Sequence, residues 1–255
     1  MFVDSHCHLD KLNYESLHSD VNDVISKAQQ VKVTELLSVG VTLDAFPAMI
    51  EMIEPHSNVY ASCGVHPLDV ESDFSLQMLE EYANHSKVVA IGETGLDYHY
   101  QPETAVLQRE RFEQQVALAV KLNKPLIIHT RDAREDTLAI LREGNAQNCG
   151  GVIHCFTEDM AFAEQAMSLG FYISISGIVT FRQATQLKDV VKALPIERLL
   201  IETDSPYLAP VPHRGKQNQP AYVVEVAQYI AQLKNISLTE VAQKTTDNFR
   251  KLFLS

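Results

Sequence analysis

Eight short apolar runs, spread over the whole chain, restrict its fold more than any other feature. Most are continuously apolar rather than alternating, as is typical of parallel strands that are covered on both faces. We therefore predict eight buried parallel strands. They span residues 2–4, 33–39, 59–64, 88–92, 125–129, 151–154, 171–174 and 198–202.

Segments of helical character separate these runs. Residues 104–122 and 221–234 each repeat apolar side chains at the spacing of one helix face. Ser237 and Glu240 form a capping-box pattern, which predicts a last helix that ends near Phe253.

Strands that alternate with helices over 255 residues predict an α/β fold, a single (β/α)8 TIM barrel. The rival is an open doubly wound sheet, which would need a glycine-rich GxGxxG turn after its first strand. The first run is instead followed by histidines. Because the chain shows no linker, low-complexity segment or solenoid repeat, we expect one domain over residues 1–255.

Histidines and acidic residues lie at the carboxyl ends of five predicted strands. His6 and His8 are two residues apart, so they would point the same way from a strand. Barrel enzymes build their sites at this face of the barrel. The candidate metal ligands are His6, His8, Glu93, His129, His154 and Asp204.

This set of side chains predicts a metal centre. A single histidine after an apolar run is more often a core residue, but six such residues at one end favour a metal site. Imidazole and carboxylate suit Zn²⁺, Mn²⁺, Ni²⁺ or Fe²⁺, and suit Mg²⁺ less well. Six ligands are too many for one open tetrahedral ion, but they fit two ions ~3.5–4 Å apart with a bridging carboxylate.

The other histidines and the cysteines carry weaker signals. We expect His18, His56 and His85 at the surface, and His99 either at the mouth of the site or in a plain loop. The four cysteines form no CxxC pair, so we interpret them as reduced, buried thiols.

Three long segments resemble the TatD family of metal-dependent hydrolases, within the wider amidohydrolase-type barrels. The resemblance covers essentially the whole chain, and all six ligand positions agree with the family pattern. The long segments are FVDSHCHLD (2–10), PLIIHTRDARE (125–135) and LLIETDSP (199–206), and residues 64–67, 92–97 and 207–220 also fit.

The resemblance implies a divalent-metal-dependent phosphodiesterase, usually described as a 3′–5′ deoxyribonuclease, with two ions such as Mg²⁺, Mn²⁺ or Zn²⁺ as cofactors. Single-stranded DNA or DNA ends would be the substrate. Glu93 would bridge the ions. The first ion would be held by His6, His8, Glu93 and Asp204, and the second by Glu93, His129 and His154.

The predicted catalytic residues are Asp204 and Glu93. Two ions would make a water acidic enough to supply hydroxide near neutral pH. Asp204 is suitably placed to orient that water and accept its proton.

Five further residues follow predicted strands and could contact a phosphate. A solvated loop charge is the alternative for each. They are His66, Arg131, Arg134, His213 and Arg214.

Other functions fit parts of the pattern. The same metal chemistry could hydrolyse a small phosphodiester, ester, lactone or amide, and the absence of interleaved aromatic and basic residues mildly favours this. A non-catalytic barrel would not need six ligands. A Ser205 nucleophile lacks the GxSxG elbow, and Cys155 lacks a free base.

The net charge is −12, from 21 basic and 33 acidic residues, which argues against coating nucleic acid or membrane by charge alone. The excess lies in residues 1–100, with 4 basic and 16 acidic residues, whereas residues 101–255 are balanced. A short strand held by metals and a few cations fits this pattern, with weak, salt-sensitive binding.

Without a signal peptide, a membrane-length apolar run or a coiled coil, we expect a cytoplasmic monomer that contacts no membrane.

Overall fold

The computed structural model describes residues 1–255 and contains eight parallel strands in one sheet. Neighbours in the sheet follow the order of the chain, from the first strand to the eighth. The predicted (β/α)8 barrel is therefore confirmed. The strands are β1 Phe2–Cys7, β2 Val33–Val39, β3 Val59–Cys63, β4 Val88–Asp97, β5 Leu126–Arg131, β6 Gly151–Ile153, β7 Phe171–Ile175 and β8 Leu199–Ile201.

The first and last strands meet just beyond their regular pairing. The backbone N–H of His8 donates to the carbonyl of Ser205 at 2.8 Å, and that of Asp204 donates to the carbonyl of His6 at 2.9 Å. The same bonds that close the barrel therefore bring three of the predicted ligands together.

Helices cover the outside of the barrel. The last helix begins after Ser237, whose hydroxyl accepts the N–H of Glu240 at 3.1 Å, as the capping-box pattern predicts. The helices are α1 Val21–Gln30, α2 Phe46–Ile53, α3 Leu76–Ala83, α4 Ala105–Leu122, α5 Arg134–Glu143, α6 Met160–Ser168, α7 Thr185–Ala193, α8 Val223–Lys234 and α9 Leu238–Phe253. None of them combines the length and apolar character that crossing a membrane requires.

The apolar core has two parts. The larger fills the space between the strands and the helices. The smaller contains Phe249 and Phe253 of α9, which pack against strand residues that include Val3, Tyr172 and Leu200. Because these strand residues lie near the starts of their strands, α9 closes the amino end of the barrel and leaves the carboxyl end open.

Four strands end later than the sequence predicts, β5 and β7 by one or two residues and β1 and β4 by three or more. β1 continues to Cys7 and β4 to Asp97, beyond the apolar residues that marked the runs. The added residues are buried: His6, Glu93 and Asp97 belong to the site, whereas Cys7 and Leu96 pack in the apolar core.

The expectation that His18 lies at the surface is wrong. It belongs to the segment between β1 and α1, its side chain is buried, and the Lys27 ammonium donates to its Nδ1 at 3.2 Å. His56 and His85 are partly exposed. All four cysteines are free thiols, but only Cys7 and Cys63 are buried, so the expectation of burial is wrong for the other two.

Candidate metal centre

The six predicted ligands converge at the open end of the barrel. A cavity of about 1000 Å³ opens there. His6 lies beneath the floor of this cavity, and five residues line it: His8, Glu93, His129, His154 and Asp204.

Glu93 stands at the centre of the cluster, and its two carboxylate oxygens face different partners. Oε2 lies 3.3 Å from Nε2 of His6 and 3.9 Å from Nε2 of His8. Oε1 lies 3.2 Å from Nδ1 of His129 and 2.8 Å from Nε2 of His154. Two sets of donor atoms therefore share one carboxylate.

Asp204 completes the first of these sets. Its Oδ1 lies 3.4 Å from Nε2 of His8 and 3.7 Å from Nε2 of His6. The two Nε2 atoms are themselves only 3.3 Å apart. Imidazole nitrogens that face each other between two carboxylates fit a divalent cation, because it would satisfy every lone pair at once. We call His6, His8, Asp204 and Glu93 Oε2 the first donor set.

The second donor set is His129, His154 and Glu93 Oε1. The two imidazole nitrogens that face Glu93 in this set are 3.4 Å apart. The donor chemistry again fits a divalent cation, with one carboxylate oxygen fewer than the first set.

Contacts on the outer nitrogens orient three of the histidines. Nδ1 of His8 faces the carbonyl of Val39 at 3.2 Å, and Nε2 of His129 faces Asp97 at 3.0 Å. Nδ1 of His154 is 3.3 Å from Glu202. A neutral imidazole that donates to such a partner keeps the lone pair of its other nitrogen free for a metal.

His66 has the opposite arrangement. Its Nδ1 accepts the backbone N–H of Leu68 at 3.1 Å, so in the neutral ring the proton is on Nε2. That Nε2 lies 3.3 Å from Glu93 Oε1. His66 is therefore inside the cluster, but its geometry suits a hydrogen-bond donor rather than a metal ligand.

The central carboxylates are ionised. Burial raises the pKa of Glu93, but the neighbouring imidazoles, chiefly His154, His66 and His6, outweigh it and hold the pKa well below its usual range. For Asp204, burial is likewise outweighed by the hydrogen bond from His8 and the charge of His6, and its pKa is lowered. Both side chains therefore offer anionic oxygens near neutral pH.

Asp4 lies behind the cluster. It accepts the backbone N–H of Thr203 at 2.8 Å and so ties β1 to the segment after β8. Burial raises the pKa of Asp4 to about 8, although hydrogen bonds from Thr203 lower it.

The Cys155 thiol is unsuited to nucleophilic attack. Although the residue is partly exposed, desolvation of the thiol raises its pKa well above the usual value, and the nearby Asp204 and Glu202 raise it further. The thiol contacts the hydroxyl of Ser176 at 3.2 Å.

The basic residues that were predicted to contact a phosphate lie in different places. Arg131 lines the cavity, with its guanidinium 4.6 Å from the centre of the Tyr100 ring. Three others do not line the cavity. Arg134 bonds Glu158 and Asp159, His213 stacks on Tyr222, and Arg214 lies over Phe181.

Several residues of the site were missed by sequence reasoning. Asp97 and Glu202 stand in the same runs as Glu93 and Asp204, and the need of a ligating histidine for an outer partner could have singled them out. Lys11, Tyr100 and Tyr207 also line the cavity. Tyr207 begins the family-like run 207–220, but no pattern marked any of the three as a site residue.

Comparison with known proteins agrees with this geometry. The family model described as "TatD related DNase" matches residues 3–254. The chain belongs to the TatD family. The predicted resemblance to that family is therefore confirmed.

Similar TatD-family proteins cover the chain almost completely. It is 57% identical over 251 residues to the metal-dependent hydrolase YcfH of Escherichia coli K12. The alignment covers 98% of this chain and 95% of YcfH. It is 44% identical over 255 residues to the metal-dependent hydrolase YabD of Bacillus subtilis 168, with 99% of each covered. This TatD-family chain is therefore a metal-dependent hydrolase.

A solved structure supports the same fold. The TatD homologue YjjV of Escherichia coli K12 superimposes with a TM-score of 0.92 at 28% identity, over 100% of this chain and 98% of that one.

Proposed function

We propose that this TatD-family hydrolase is a 3′–5′ exodeoxyribonuclease that cleaves single-stranded DNA or DNA ends with two divalent ions. The observation that carries the proposal is the position of Glu93, whose two oxygens face two separate donor sets. A shared carboxylate is typical of two-metal hydrolases of phosphodiesters. The family description as a DNase supports the choice of substrate.

The two donor sets would hold the ions, for which Mg²⁺, Mn²⁺ and Zn²⁺ are the candidates. Bound there, divalent ions would acidify water and stabilise negative charge on a phosphoryl group. In the first set Asp204 and Glu93 supply anionic oxygens beside His6 and His8, and in the second Glu93 is the only carboxylate.

The protein's own side chains would position and deprotonate the attacking water. The side chain of Asp204 is 13% exposed and faces the cavity, so it can accept a proton from a water there. The Nε2–H of His66 can donate to a phosphoryl or leaving oxygen. Arg131 adds positive charge at the cavity wall, whereas contacts by Arg134, His213 and Arg214 stay predictions.

We also propose that the chain acts as one domain, as a monomer, in the cytoplasm. The four free thiols fit a reducing compartment.

The test uses a single-stranded oligonucleotide labelled at its 3′ end. Protein treated with EDTA should release no labelled nucleotide, and Mg²⁺ or Mn²⁺ should restore release. Asp204→Asn should lower kcat about 100-fold or more, because a positioned proton acceptor is lost. Metal-loaded protein that leaves DNA intact would show that the proposed substrate is wrong.

A second candidate is a hydrolase of a small phosphodiester, ester, lactone or amide. The cavity of about 1000 Å³ is at the upper end of small-molecule sites. Of the five residues predicted to contact a phosphate, only His66 and Arg131 line this cavity. The other three, Arg134, His213 and Arg214, lie outside it. A panel of small chromogenic esters and phosphodiesters, assayed beside DNA, distinguishes the two candidates.

A further inference from the structure

Two exposed tyrosines stand at the mouth of the candidate site. Of the nine tyrosines in the chain, only Tyr100 and Tyr207 are exposed, at 60% and 54%. Both line the same cavity. Single exposed apolar residues need no explanation, but two large rings at one mouth indicate a binding surface.

Both tyrosines have fixed backbones although their rings are exposed. The N–H of Tyr100 donates to the Asp97 carboxylate at 2.9 Å, and Asp97 also contacts His129. The N–H of Tyr207 donates to the carbonyl of Asp204 at 2.9 Å. Each tyrosine therefore follows a residue of the site by three positions and its backbone is bonded to that residue, so little backbone entropy would be lost on binding.

The tyrosines lie on opposite sides of the donor sets. Tyr100 follows β4 and Tyr207 follows β8, which are four strands apart in either direction around the barrel. The Tyr207 ring lies 6.1 Å from the ring of His8, in the first donor set. Tyr100 lies against Arg131, two residues beyond His129 of the second set.

We propose that Tyr100 and Tyr207 form a clamp on which the two nucleobases that flank the scissile phosphate stack, one base on each ring. This inference rests on the proposed nuclease function and names how that site selects its substrate. Stacking on tyrosine accepts any base but requires it to be unpaired. The clamp therefore lets a chain with a charge of −12 hold a single strand without an extended basic groove.

The experiment compares two single-stranded oligonucleotides, one complete and one without bases on its last two 3′ nucleotides. On the complete strand, Tyr100→Leu and Tyr207→Leu should each raise KM about tenfold with little change in kcat, because an aromatic platform is lost. Tyr100→Phe and Tyr207→Phe should restore a low KM, since stacking needs the ring and not the hydroxyl. On the abasic strand, the wild type should already show the raised KM, and the leucine variants should add nothing.

Controls separate stacking from damage to the fold. Tyr229→Leu, on α8 and outside the cavity, should leave KM unchanged. Bound metal and melting temperature should be the same in the wild type and the clamp variants.

Each contrary result has its own meaning. If the wild type cleaves both strands with equal KM, or if the leucine variants raise KM equally on both, the clamp is wrong and the nuclease function stands. If the metal-loaded wild type cleaves neither strand, the proposed function fails and the clamp fails with it.

Discussion

At the scale of single residues, the group that faces the outer ring nitrogen distinguishes His154 from His66. Nε2 of His154 faces Glu93 at 2.8 Å and its Nδ1 lies 3.3 Å from Glu202, so the ring can direct Nδ1–H toward Glu202 and offer the Nε2 lone pair to an ion. His66 presents an N–H to the same oxygen, because its other nitrogen accepts from the backbone. Two histidines at similar distances from one carboxylate therefore have different chemistry.

This difference predicts different variants. His154→Ala should lose most of one bound divalent ion, because a ligand of the second donor set is removed. His66→Ala should keep its metal content but lower kcat by about 100-fold, as expected when one donor to a reacting oxygen is lost. Metal counting by mass spectrometry and steady-state kinetics check both. A loss of metal in His66→Ala would identify His66 as a ligand instead.

His18 provides a prediction on acid sensitivity away from the site. Burial lowers the pKa of His18, and the nearby Lys27 ammonium lowers it further. As the pH falls through about 6.5, the unfolded chain takes up a proton there before the folded chain does, so folding loses stability. The loss ends once the pH is below the lowered pKa of the folded state.

Compared with the wild type, His18→Gln should therefore lose less stability between pH 7 and pH 5. Glutamine keeps an acceptor for Lys27 but does not titrate. Urea unfolding of both proteins at several pH values measures the difference, and parallel pH profiles would contradict the prediction.

At the scale of elements, the approach of β4 to β5 places Glu93 beside His129. Gly95 has a φ of +139°, and a Cβ built there would lie 1.9 Å from the carbonyl oxygen of His129. Because the clash is with a backbone atom, it could be relieved only by a shift of β4 or β5, which carry Glu93 and His129. Only glycine allows the two strands to pair at this point.

Gly95→Ala should destabilise the fold by about 2–4 kcal/mol and weaken metal binding, because His129 is displaced. Gly170 is the matched control, since it also has a positive φ of +87° but its added Cβ would meet nothing within 4 Å. Gly170→Ala should cost only about 1–2 kcal/mol of left-handed strain and leave the metal content unchanged. Equal effects of the two substitutions would show that the β4–β5 contact is unimportant.

At the scale of the whole molecule, the site joins elements that are distant along the chain. The donor sets draw residues from, or directly after, five of the eight strands, and the bonds between His6, His8 and the segment after β8 close the barrel. Ions held there would therefore cross-link the sheet at its open end, opposite the end that Phe249 and Phe253 of α9 close.

Removal of metal should therefore lower the melting temperature. A ligand at 100 times its dissociation constant stabilises the native state by about 2.7 kcal/mol, which corresponds to about 5–10 °C for a chain of this size. Calorimetry with EDTA, and then with added Mn²⁺, measures the shift. Glu93→Gln should show little response to either, because both donor sets lose their shared anion, and an unchanged wild-type melting temperature would contradict the prediction.

The sequence alone determined the barrel and the positions of the six candidate ligands. Continuous apolar runs are local patterns, and the carboxyl ends of parallel strands meet at one face whatever the loops do. The tertiary structure decided the rest. The proton position on His66, the partners of Arg134, the burial of His18 and the pairing of Tyr100 with Arg131 all depend on loops that bring distant residues together. No local periodicity encodes such contacts, because they are fixed by side-chain direction and by the path of the chain between elements.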